Sequence, residues 1–176
     1  QNNNGNSLLH LAIIRKVWGV VRHLVDGKFK VDLELQNDMG NTSLHEASRK
    51  RNIPLDIYRK LITKSNVNFQ NKHGHSALHM VVRKASWHFV PILICNGADV
   101  NLVDRWKISA LQEAIGLHHT SIPIDVFQAL LSSENINFQG SNGCTALHLF
   151  VTLKNRVFAA PLHCKLPENL SWYLSM

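Results

Sequence analysis

The sequence has little of what disulfide-bonded, zinc-binding and membrane-spanning proteins need. Its 176 residues include three cysteines, Cys95, Cys144 and Cys164, an odd number without a CxxC pair. A disulfide framework and a cysteine zinc site are therefore not expected, and a reducing compartment, cytoplasm or nucleus, suits the chain. No apolar run approaches the ~20 residues of a membrane-crossing helix, and no secretory leader is recognisable.

Acidic residues are also scarce, since 12 Asp and Glu face 19 Lys and Arg, for a net charge of +7. This balance favours acidic partners: a protein segment, nucleic acid or an anionic surface. The chain contains no GxSxG, HExxH, glycine-rich phosphate loop or kinase signature. We therefore expect no catalytic residue, no cofactor and no small-molecule substrate.

What the sequence does have is an internal repeat. One motif occurs five times, as Gly5–His10, Gly40–His45, Gly74–His79, Lys107–Gln112 and Gly143–His148. The motifs end at positions 10, 45, 79, 112 and 148, so the step stays between 33 and 36 residues. A second block recurs out of phase with the first, as Leu33–Asn37, Val67–Asn71, Val100–Asp104 and Ile136–Gly140. Two blocks with one shared period indicate a repeat architecture.

Each motif carries the signals of a tight turn followed by a helix. The glycines fit a turn that needs positive φ. A hydroxyl residue then stands where it can cap a first helical turn, at Ser7, Thr42, Ser76, Ser109 and Thr145. Two short amphipathic helices per repeat cannot bury their apolar faces alone, so neighbouring repeats are expected to stack.

These motifs resemble the ankyrin repeat, which begins Thr-Pro-Leu-His and ends Gly-Ala-Asp-Val-Asn. The third repeat is most similar and ends with Gly97-Ala98-Asp99-Val100-Asn101. The resemblance implies an all-α, monomeric solenoid of helix-turn-helix units with β-hairpin loops, about five repeats, the last divergent. The array is expected over 1–155, with repeats starting near 3, 38, 72, 105 and 141, and 156–176 as a divergent C-terminal cap or tail.

The resemblance also implies a structural role for the histidine of each motif, which bridges its own turn to neighbouring backbone. These histidines are His10, His45, His79 and His148. His73, His75 and His79 form an H-x-H-x3-H pattern typical of a metal site, but the repeat register favours a structural His79. We predict no metal site, His73 and His75 at an exposed hairpin tip, and Cys95 on a buried helix face.

A partner-binding surface follows from the same resemblance, because first helices line a concave groove and hairpins project beside it. The expected contact residues are a basic column in the groove and two hairpin-tip residues, namely Arg15, Arg49, Lys50, Arg83, Lys84, Met39 and Trp106. An acidic protein segment would suit this column. The alternative is that these cations only solvate helix ends near the negative pole of the helix dipole.

The sequence therefore predicts a non-catalytic protein-protein interaction module: a scaffold, adaptor or inhibitor in signalling or transcription regulation, in cytoplasm or nucleus. A nucleic-acid-binding array is the first alternative, which the positive charge permits but no RNA-binding aromatic motif supports. A structural spacer within a longer repeat protein is the second.

Overall fold

The computed structural model describes residues 1–27, 29–117, 122–140, 143, 145 and 146. These residues form eight α-helices: α1 Leu8–Ile14, α2 Trp18–Val25, α3 Ser43–Ser48, α4 Leu55–Leu61, α5 Ala77–Arg83, α6 Val90–Cys95, α7 Ala110–Gly116 and α8 Ile124–Leu130. A 3-10 turn, Trp87–Phe89, leads into α6. The helices alternate as first and second helices of four successive pairs.

The first helix of each pair begins at a capping residue. The hydroxyls of Ser7 and Thr42 and that of Ser109 accept from the backbone N–H three residues further on. At Ser76, the backbone N–H donates to the imidazole of His79. Helices of six to eight residues are not stable alone in water. Their stability therefore depends on packing between pairs.

The pairs stack in two layers around one continuous core. In the first layer α1 packs on α3, α3 on α5 and α5 on α7; in the second, α2 packs on α4 and α6 on α8. One leucine per first helix is buried at the same register, namely Leu9, Leu44, Leu78 and Leu111. The rings of Tyr58 and Phe89, 4.2 Å apart, join the second helices of the middle repeats. The predicted all-α ankyrin-type solenoid is confirmed.

Hairpins, here called fingers, connect one pair to the next. The first finger precedes α1 and closes with a bond from the N–H of Asn2 to the carbonyl of Asn6, 3.0 Å. The second closes in the same way, from Asn37 to Asn41 at 2.9 Å, and so do the third and the fourth. Gly40 and Gly74 have φ of 72° and 77°, and Lys107 adopts the same conformation with φ of 55°. A Cβ on Gly74 would lie 2.7 Å from the backbone nitrogen of Arg105 in the following finger. The predicted positive-φ turns are confirmed.

Two predictions about single residues are wrong. Cys95 is exposed. Helix α6 buries Val90 and Leu93, and Cys95, two residues after Leu93, lies on the opposite side of the helix and faces solvent. His75 is buried rather than exposed, because the following finger packs against it and brings Asp104 beside its ring. In the described part of the chain no helix is long and apolar enough to cross a membrane.

The fifth repeat lies mostly outside the described residues. The residues outside the described ranges include His148 and Cys144 of the fifth repeat, His118 and His119 of the fourth, Cys164, and the expected tail 156–176. The repeat boundaries and the tail stay predictions.

Candidate functional site

The histidines of the first three motifs have one common geometry. The Nε2 atoms of His10, His45 and His79 lie 2.9, 3.0 and 3.2 Å from a backbone carbonyl of the following finger. A carbonyl only accepts, so Nε2 carries the proton and Nδ1 accepts from the capping residue. In the fourth repeat Gln112 does the same work, donating its amide nitrogen to the carbonyl of Phe138 at 3.3 Å. These side chains connect one repeat to the next.

Burial keeps these imidazoles neutral. It lowers the pKa of His10, and it lowers the pKa of His45 and that of His79 to about 4. The deprotonated nitrogen of each ring is already engaged with its cap. Within the described ranges no group of three or more His, Cys, Asp or Glu side chains could hold a metal ion.

The concave side of the stack holds an open groove of about 490 Å³ at the first three repeats. Four of the predicted contact residues line it, namely Met39, Arg49, Lys50 and Lys84. Ile14 and Glu46 complete its helix wall, and Asp38 forms the opposite wall together with asparagines of the fingers. Arg15 is exposed at the end of α1, next to Ile14 but outside the lining. Arg83 and Trp106 lie elsewhere.

The cations of the predicted column differ in how far their charge is already balanced. Arg49 forms an ion pair with Glu46 at 3.4 Å, and Arg83 forms one with Glu113 at 3.0 Å. Lys50 donates to the carbonyl of Ile14 at 3.1 Å. Burial, with Arg49 as a neighbouring charge, lowers the pKa of Lys50.

Arg15 and Lys84 make no ion pair with any residue that the structure describes. Lys50 makes none with a described residue either, since its bond to Ile14 is to an uncharged carbonyl, so these three cations contribute most to the positive field of the groove. Sequence reasoning missed Glu46 and Glu113, although a signal existed, because each directly follows the repeat histidine or its glutamine replacement.

Next to the groove, the third and fourth fingers form a cluster of rings and charges. His75 Nε2 lies 2.8 Å from Arg83 Nη1 and 3.4 Å from Asp104 Oδ2. Burial and the nearby Arg83 charge lower the pKa of His75. The ring of Trp106 lies 6.1 Å from that of His75 and 6.4 Å from that of His73, centre to centre. Trp106 is nonetheless 54% exposed.

His75 is buried because it belongs to a row of side chains that connect each finger to the next. In the earlier fingers, asparagine amides bond from one finger to the next, Asn37 to Asn6 at 2.9 Å and Asn71 to Asn41 at 2.8 Å. His75 has the position of Asn6 and Asn41, directly after the turn glycine, and faces Asp104 instead of an asparagine. The His75 side chain therefore lies between two fingers, away from solvent.

Stacked helix pairs, projecting fingers and a bridging imidazole in each turn define the class of protein. The chain belongs to the ankyrin repeat family, and residues 73–105 match the model of the ankyrin repeat. Arrays of this family mediate protein-protein interaction.

Known relatives are longer proteins. The chain is 26% identical over 163 residues to the nuclear factor NF-κB p105 subunit of Gallus gallus, covering 88% of this chain and 16% of the relative. It is 28% identical to p105 of Rattus norvegicus over 151 residues, 86% of this chain and 12% of the relative. It is 31% identical to the B-cell lymphoma 3 protein homolog of Mus musculus over 152 residues, 84% of this chain and 33% of the relative. The chain thus spans a third or less of these relatives.

Proposed function

We propose that this chain is a non-catalytic binding module whose concave groove holds an acidic segment of a partner protein. The observation that carries the proposal is the groove itself, which brings Arg49, Lys50 and Lys84 together on one wall with Arg15 close by. Exposed charges are screened over about 8 Å in physiological salt, so a segment lying in the groove is close enough to be attracted by its cations. Such a field speeds association with an acidic segment and selects against basic ones.

The acidic side chains of the concave face restrict where such a segment can lie. Glu46 already balances Arg49, and Glu113 balances Arg83. Carboxylates of the partner are therefore expected near the cations without an ion pair among the described residues, Arg15, Lys50 and Lys84, with polar or apolar residues between them. Because the stacked helices fix the backbone of these residues, binding costs side-chain freedom but no backbone ordering of the groove.

The relatives support a proposal about the cellular process in which this binding takes place. A subunit of a nuclear factor is among them. We propose that the chain acts as an adaptor, scaffold or inhibitor in signalling or transcription regulation, in the cytoplasm or the nucleus.

The test is charge reversal at two of the groove cations that make no ion pair among the described residues, Arg15→Glu with Lys84→Glu. A matched control reverses two exposed cations of the second layer, Arg59→Glu with Lys64→Glu. Proteins captured from cell extract would be identified by mass spectrometry, and the rate of association of the main partner would be measured from low to high salt. We expect about tenfold slower association and a weaker salt dependence for the groove variant only.

Three results would contradict the proposal. One is an unchanged set of captured proteins for the groove variant, with circular dichroism showing that it is folded. Another is the absence of any specific partner, which would favour a structural spacer. The third is a steep loss of affinity for plain duplex DNA or RNA with rising salt, which would favour nucleic-acid binding.

A further inference from the structure

The tips of the fingers form a second surface, which meets the groove at Met39 and extends away from it to Trp106. Met39, His73 and Trp106 each directly precede the turn residue of their finger. The backbone joins the fingers beneath them, since Lys72 N–H donates to the carbonyl of Met39 and Arg105 N–H to that of His73, both at 3.0 Å. We call these three side chains the finger ridge. Met39 is 48% and Trp106 54% exposed, so two large apolar side chains face solvent along it.

Trp106 is held in place before any partner arrives. Its backbone N–H donates to Asp104 Oδ1 at 2.8 Å, and its ring lies beside those of His73 and His75, with centres 6.4 and 6.1 Å away. His75 is in turn fixed between Arg83 and Asp104. A rigid, exposed tryptophan loses little freedom on binding, and tryptophan is enriched among the residues that dominate interface affinity.

The charges around the ridge are unevenly distributed. Lys72 and Arg105 precede His73 and Trp106, Lys107 follows Trp106, and all three cations are exposed. None of the three forms an ion pair within the part of the chain that the structure describes. At the other end of the ridge an acidic residue, Asp38, precedes Met39. The surface is therefore apolar and bordered by positive charge at the Trp106 end.

We propose that the finger ridge binds a protein segment in which a large apolar or aromatic side chain, placed against Trp106 and His73, is flanked by carboxylates that face Lys72 and Arg105. The proposal rests on the proposed function, because it names the anchor of the same acidic partner segment.

A single strand of nucleic acid suits this surface less well, although bases stack on tryptophan. Its phosphates would continue along the ridge toward Asp38, whose carboxylate repels them. The ridge also offers a thioether at Met39 instead of a second large ring for the following bases.

The test uses a phage-displayed library of random 12-residue peptides, selected on the folded 176-residue chain. Enriched peptides would be synthesised with a fluorescent label, and their affinity measured by anisotropy for the wild type and for Trp106→Ala. The matched control is Phe29→Ala, because Phe29 is also 54% exposed but lies outside the ridge. A 12-residue oligothymidylate serves as the nucleic-acid probe.

We expect enriched peptides with a large apolar or aromatic residue beside Asp or Glu. Trp106→Ala should weaken their binding about tenfold, and replacing the peptide's apolar residue by alanine should have a similar effect. Phe29→Ala should change the affinity less than about twofold. The proposal fails if no peptides are enriched, if they bind Trp106→Ala as tightly as the wild type, or if oligothymidylate binds more tightly than they do.

The groove variant separates this proposal from the proposed function. Peptides that lose affinity for Arg15→Glu with Lys84→Glu but keep it for Trp106→Ala would support the groove and overturn the ridge. The reverse pattern would support the ridge and overturn the groove. Loss with both variants would support one continuous binding surface.

Discussion

At the scale of single residues, a histidine and a glutamine perform the same task in different repeats. His79 donates Nε2–H to the carbonyl of Ile108, and Gln112 donates its amide to the carbonyl of Phe138. Each also accepts from the backbone of its own cap, His79 from Ser76 at 3.3 Å and Gln112 from Ser109 at 3.0 Å. The position therefore requires one donor and one acceptor at a fixed separation rather than an imidazole.

This equivalence gives a prediction for His79. His79→Ala removes both bonds and leaves the buried backbone N–H of Ser76 without its acceptor, which should lower the free energy of unfolding by about 2–3 kcal/mol at pH 7. His79→Gln keeps a donor and an acceptor and should cost less than about 1 kcal/mol. Urea unfolding followed by circular dichroism measures both. Equal losses for the two variants would show that the ring's packing matters more than its hydrogen bonds.

At the scale of elements, the turn of the fourth finger has Lys107 in place of glycine, and this replacement lowers the stability of the fold. Gly40, Gly74 and Lys107 all have positive φ. For a residue with a Cβ, this left-handed conformation costs roughly 1–2 kcal/mol. Lys107 thus adopts the turn because the surrounding finger imposes it, with Asp104 Oδ1 accepting from the N–H of Ile108 at 2.9 Å.

Relieving that strain should stabilise the protein. Lys107→Gly is expected to raise the free energy of unfolding by about 0.5–1 kcal/mol, since glycine removes the steric cost but adds flexibility to the unfolded chain. The opposite change, Gly74→Ala, introduces a Cβ against the backbone of Arg105 and should destabilise by more than about 1 kcal/mol. Thermal unfolding compares the two, and a destabilised Lys107→Gly would contradict the strain argument.

At the scale of the whole molecule, stability is distributed over contacts between repeats. The helices are too short to persist alone, and ion pairs such as Arg22–Asp56 and Lys60–Asp26 connect second helices of neighbouring repeats. Buried histidines add a shared sensitivity to pH, because burial lowers the pKa of all four of them: His10, His45, His75 and His79.

The array should therefore lose stability in acid. Between pH about 6.5 and about 4 the unfolded chain binds protons that the folded chain excludes, so stability falls as pH falls. Each such histidine contributes up to about 1.4 kcal/mol per pH unit. Burial raises the pKa of Glu113, which has the opposite effect on stability. This is a single group, whereas the buried histidines described are four.

Urea unfolding at several pH values measures this slope. His45→Gln with His79→Gln should make the dependence on pH shallower, whereas His88→Gln, at an exposed histidine, should leave it unchanged. A slope that stays the same in the double variant would exclude these histidines as its source.

Much of the candidate site followed from the repeat register, but individual side chains did not. The register placed Arg49, Lys50 and Lys84 on one wall and Trp106 at a finger tip. It could not show that Arg83 turns toward His75 and Glu113. Glu113 belongs to the next repeat, 30 residues away in sequence, and His75 is brought within reach only by the fold of the third finger, so a local pattern does not contain this information.

The sequence alone determined the repeat, the helix caps, the positive-φ turns and the excess of positive charge, because each depends on residues close together in the chain. Only the tertiary structure decided that His75 is buried opposite Asp104, that Cys95 is exposed, and which cations keep an unbalanced charge. Those outcomes depend on the neighbouring repeat, since burial and charge pairing arise where two repeats meet.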